Sequence, residues 1–427
     1  MQLDTWGWAL VNKILEKRQE ELEKNGWQRV YAEYNLAGGP DDNRWVGKRI
    51  SGSPDSMYMA IATVMKSSFK LKAIIGDKVD ADGNPEFAFE QDFAGDALAE
   101  GHIIKVYPLV VTLAEAVAQD AALNNLRHPP GTETTPAGTL GNVRRVGEGK
   151  KTMLLIAGIG FGDGIWTEFM ERRKIEYTMF AVTLPGFGGT KPSAMPADET
   201  KFGDTPWMRS SLQAINALLD KERIQKVTVV AHWMVATQLA LQLALDQPTR
   251  VESVILIGGV LKMYYDSNPA TQTWTIEQRR SFANAMGERW FKTVTRRTWD
   301  DNNFMSYDYA VNPRRGLFLW REAQAPTLPV WIRYLLEFYA TDYTAGLKDL
   351  QVPVLVAQPG FDDPAFYVET GKNYMRNSCI DSWKGAAELS NRLEFVTIPK
   401  SRLFIQHDQP EALDRAIAAF WAKHQSR

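Results

Sequence analysis

The chain has 427 residues, 44% apolar, 23% charged and 11% aromatic, which is too long for one compact core and too apolar for a largely disordered chain. Its 49 basic and 51 acidic residues leave a net charge of −2, so no basic footprint for nucleic acid or anionic membrane is expected. One cysteine, Cys379, excludes an intramolecular disulfide, and the five histidines share no metal-ligand spacing, so neither metal nor cofactor is expected.

In chain order, residues 5–25 carry Trp6, Leu10, Ile14 and Leu22 near helical spacing, with a Lys/Glu face toward water. No apolar run reaches the roughly 18–20 residues of a membrane helix, and the start lacks a signal peptide's apolar stretch. A soluble, by default cytoplasmic, protein is expected, with a processed organellar or exported form left open. Residues 27–125 mix β-like runs from Trp27 and His102 with stretches read as helical around Met57–Met65 and Leu113–Leu123. This describes an N-terminal α+β extension over 1–126. A Pro/Gly/Thr-rich tract at 127–141 reads as a linker.

Beyond it the pattern changes. Short apolar runs at 153–156, 179–182, 227–230, 254–257, 354–357 and 395–398 alternate with helical stretches. Wholly apolar strands spaced by helices imply a mostly parallel sheet covered on both faces, hence an α/β core. That core is expected over 142–259 and 351–427. Between its halves, residues 260–350 hold 17 Phe, Trp or Tyr, well above the 11% of the whole chain, and read as a helical lid.

Five motifs then follow one another. They are the Gly-rich turn Ala157-Gly158-Ile159-Gly160, the loop Thr183-Leu-Pro-Gly-Phe-Gly-Gly-Thr190, and Ala231-His232-Trp233-Met234-Val235-Ala236 between a strand and a helix. Gln358-Pro-Gly-Phe-Asp-Asp363 and Arg402-Leu-Phe-Ile-Gln-His-Asp-Gln-Pro410 complete the set. Their order and spacing resemble the α/β-hydrolase fold superfamily, over about residues 140–427.

The resemblance implies a role for each position, and the residues present depart from it. The nucleophile position holds Trp233, which has no hydroxyl, thiol or carboxylate. The general base, seven residues before Pro410, becomes Leu403, which cannot accept a proton. His407 lies four residues further along and is the one candidate for a shifted base. The acid position is Asp363, expected to cap its turn. His232 is expected beneath the elbow as a structural histidine. Backbone N–H groups of Ile159 and Met234 would form the oxyanion hole, since a changed side chain deletes no backbone donor. Thr183 replaces the Asp of its loop, and Ser378 and Cys379 sit on no recognised elbow.

Three functions are compatible with this pattern. The first is a hydrolase-fold protein without hydrolase chemistry that binds an apolar small molecule under the lid, a protein partner or a larger complex. The second is an enzyme using the pocket with non-standard residues, as a lyase, isomerase, cyclase or unusual hydrolase. The third, an ordinary hydrolase, requires a Ser, Asp or Cys at the strand-to-helix turn, and 231–236 contain none.

Overall fold

The computed structural model describes residues 140–194, 201–264, 269–294, 299, 306–323, 326–362 and 374–424, together with eight strands before residue 140. Two compact units emerge, Met1–Asn124 with Val294–Met305, and Asn125–Thr293 with Ser306–Arg427.

In the first unit, β1 (Val30–Leu36) pairs antiparallel with β2 (Asn43–Arg49). β3 (Ser56–Ala60), β4 (Thr63–Met65), β5 (Ser68–Ala73), β6 (Phe89–Ala94) and β7 (Pro108–Thr112) follow, with β3 antiparallel to β7 and β5 between β4 and β6. The helical expectation for Met57–Met65 is therefore corrected to two strands. Distant pairing, Ser56 opposite Thr112, overrides a spacing that local sequence leaves ambiguous. The expected helices at 5–25 and 113–123 lie outside the described residues.

The second unit holds an eight-stranded sheet in the order β15-β14-β13-β12-β10-β11-β9-β8. Its members are β8 (Thr132–Thr134), β9 (Asn142–Val146), β10 (Lys151–Ile156), β11 (Tyr177–Thr183), β12 (Val227–His232), β13 (Val251–Ile257), β14 (Val354–Pro359) and β15 (Leu393–Ile398). From β11 through β15 the neighbours are parallel, and β9 and β8 close one edge antiparallel. Part of the tract read as linker is thus the edge strand β8. Every residue of β12 and β14 is buried, as a strand covered on both faces requires.

The flanking helices are α1 (Thr167–Arg173), α2 (Pro206–Lys221), α3 (Met234–Asp246) and, at the end, α10 (Ile405–Asp408) and α11 (Pro410–His424), where α4 to α9 lie between. Between β13 and β14 runs a helical insertion comprising α4 (Ile276–Thr293), α5 (Ser306–Tyr309), α6 (Pro313–Ala323) and α7 (Leu328–Tyr339). Beyond β14 come α8 (Tyr374–Ile380) and α9 (Ala386–Leu389).

One buried ion pair joins this insertion to the core. Arg333 and Glu337, a turn apart on α7 and both fully buried, meet at 2.8 Å. The Glu337 carboxylate also accepts from Trp207 N at 3.1 Å and Met208 N at 2.9 Å, the otherwise unpaired amides in the first turn of α2. Arg333 donates to Lys201 O at 3.0 Å and lies 4.4 Å over the Phe202 ring. Burial pushes the Glu337 carboxyl above its usual range, opposed by the two amides and the guanidinium.

Removing one partner leaves a buried charge alone. Glu337→Ala is expected to lose about 3–5 kcal/mol of unfolding free energy, whereas Arg333→Met with Glu337→Met recovers most of it. Urea denaturation of the three chains checks this.

Candidate functional site

At the end of β12 the chain turns into α3 through Trp233, with φ 62° and ψ 154°, followed by Met234 at φ 29°. Such angles cost a non-glycine residue about 1–3 kcal/mol. Backbone bonds hold the turn: Trp233 N donates to Ile257 O at 3.1 Å, and Trp233 O accepts from Ala236 N at 3.1 Å and Thr237 N at 3.3 Å. The Gly-rich turn presses against it, since a Cβ on Gly158 would lie 2.4 Å from His232 O and 3.3 Å from the Trp233 Cβ. Only glycine fits there. The same geometry that would project a small nucleophile projects an indole, which is 1% exposed.

Aromatic rings fill the space around it. Trp233 meets Tyr309 of α5 edge-on, with centroids 6.2 Å apart. Tyr309 in turn packs on Phe161 at 5.6 Å and Phe404 at 5.7 Å, and Phe404 lies 4.3 Å from the His232 ring. His232 Nε2 is 3.3 Å from Leu403 O, so the neutral ring donates from that nitrogen. Complete burial pushes its pKa down to about 3. The other ring nitrogen and the Trp233 indole N–H are buried without a hydrogen-bond partner.

Leu403, fully buried, has its side chain against Gly258, where a Cβ would sit 2.9 Å from Leu403 Cδ1. Gly258 follows the residue that holds Trp233 N, so the Trp233 turn and Leu403 meet around the end of β13. Ile159 and Met234 are buried beside the turn. Of the sequence candidates, Asp363 lies outside the described residues. Its neighbour Asp362 is exposed and accepts from Lys400 N at 2.8 Å.

The insertion is fastened over this cluster mainly by backbone. Leu403 N donates to Asp308 O at 3.0 Å, and Phe404 N to Tyr309 O at 2.9 Å. The Asp408 carboxylate accepts from Val311 N at 3.0 Å and from Arg402 N at 2.9 Å. On the other side, Trp331 of α7 caps the Gly-rich turn. A Cβ on Gly160, at φ 88°, would fall 2.4 Å from its ring, and its indole N–H donates to Ala323 O.

The His407 ring packs on Phe404 with centroids 5.6 Å apart, and its Nε2 is buried without a hydrogen-bond partner among the described residues. Its Nδ1 is 3.1 Å from an Arg315 guanidinium nitrogen and 3.5 Å from Glu168 Oε2. The hydrogen bond with His407 pulls Glu168 down to about 2, against the desolvation that raises it. In place of the Asp expected at 183, Asp163 supplies the carboxylate. Thr183 Oγ1 donates to it at 2.8 Å, and Arg144 Nε lies 3.2 Å away. Cys379 is buried, its thiol pushed up by desolvation and donating to Gly258 O, so it is not activated.

Sequence reasoning missed Tyr309, Phe404 and Asp408. The signal for Asp408 was present, because it is the Asp of the Asp-x-Pro motif. Tyr309 carried none, being one aromatic among many in the insertion. Among the described residues no group of three or more His, Cys, Asp or Glu could hold a metal, and no helix is long and apolar enough to cross a membrane.

The model of the Alpha/beta hydrolase family matches residues 153–416. A pimeloyl-[acyl-carrier protein] methyl ester esterase from Aeromonas salmonicida is 28% identical over 118 residues, which span 28% of this chain and only 41% of that protein. Among solved structures, a membrane phospholipase A, a novel bacterial virulence factor, superposes with a TM-score of 0.50 at 15% identity, covering 73% of this chain and 93% of its own. A thermophilic esterase from Thermogutta terrifontis gives 0.49 at 19% identity, covering 69% and 98%. At 15% identity the phospholipase likeness speaks for the fold alone.

Two outcomes follow from the elbow. Trp233→Ala removes a buried indole and is expected to cost about 3–5 kcal/mol in chemical denaturation. His232 binds a proton more weakly folded than unfolded, where its pKa is near 6.5, so the unfolded chain holds more protons between about 3 and 6.5. Stability is full above that window and falls as pH drops through it, by up to about 1.4 kcal/mol per unit. His232→Gln is expected to lose this slope, and in the wild type the ring shows no NMR titration between about pH 5 and 8.

Proposed function

The chain belongs to the alpha/beta hydrolase family, and on that premise we propose that it is a non-catalytic member which binds a ligand or another protein instead of turning over an ester. What supports this most is a single feature: an indole, 1% exposed and covered by Tyr309, stands at the strained turn where the family presents its nucleophile. Acyl transfer requires a nucleophile, a base beside it and donors for the developing oxyanion. Leu403 stands in the base position. The Ile159 and Met234 amides would remain as donors, beside a turn whose Trp233 is packed under Tyr309.

The partial likeness to an esterase favours a second reading, an enzyme that uses this pocket with non-standard residues. That would demand a proton acceptor at the elbow. His232 is held neutral by burial and faces a carbonyl, and His407 faces Arg315 and Glu168. Neither placement suits a base acting at Trp233.

In a p-nitrophenyl ester assay the wild type is expected to show no turnover above the uncatalysed rate. Trp233→Ser alone stays inactive, since no base deprotonates the hydroxyl. Trp233→Ser with Leu403→His is expected to give weak turnover if the Asp363 carboxylate faces the new imidazole. Wild-type turnover that survives Cys379→Ala and disappears with His407→Ala would replace the proposal with the second reading.

A further inference from the structure

We draw no further inference here: the strongest candidate, the cleft of about 580 Å³ between the start of α4 and α9, sets Lys262 and Lys348 against Asp342 and Glu277, so its charges balance and select no ionic guest, and nothing in the structure shows what covers its Trp274 and Leu389 wall.

Discussion

Trp233 is held at a backbone angle that costs a non-glycine residue free energy, and its indole offsets that cost by burial against Tyr309, which itself packs on rings from two other parts of the chain. Phe161 follows the Gly-rich turn, Tyr309 belongs to the insertion, and Phe404 lies beside the position where a base would stand. Gly158 and Gly258 are small because the Trp233 turn and Leu403 come that close. A hydroxyl at 233 would leave a void in the middle of this packing. The elbow geometry survives as a structural joint whose strain is balanced by apolar contact.

The insertion depends on that joint. A mobile lid over an active site opens because few contacts hold it. Here α5 and the residues after it bond through backbone to Leu403 and Phe404, and the Asp408 carboxylate gathers two more amides. Backbone bonds of this kind are insensitive to the side chains they pass, so they form with leucine at 403. At the other end, Trp331 lies where any side chain at 160 would collide with it. Both sides of the elbow are therefore covered by the chain itself.

Two buried carboxylates are each engaged by several donors at once. The Glu337 carboxylate serves a guanidinium and the N-terminus of α2 together. Asp163 binds Thr183 and Arg144 in the corner where a residue-by-residue comparison expects an acid at 183.

The sheet was legible in sequence because strands buried on both faces must be wholly apolar, and six such runs stood out between helical stretches. The elbow was legible because its turn lies within one short motif, so Trp233 could be placed by spacing alone. Met57–Met65 was misjudged, since its partner strand lies far along the chain and a short apolar run does not reveal its period. Similarly, nothing local marked Tyr309 as the ring over Trp233, or Arg315 and Glu168 as the groups beside His407 Nδ1. Sequence by itself determined which chemical groups stand in the strand-to-helix turn after β12, residues 231–236. Only the tertiary structure decided what fills the space they leave, because packing and backbone pairing join residues whose separation along the chain carries no signal.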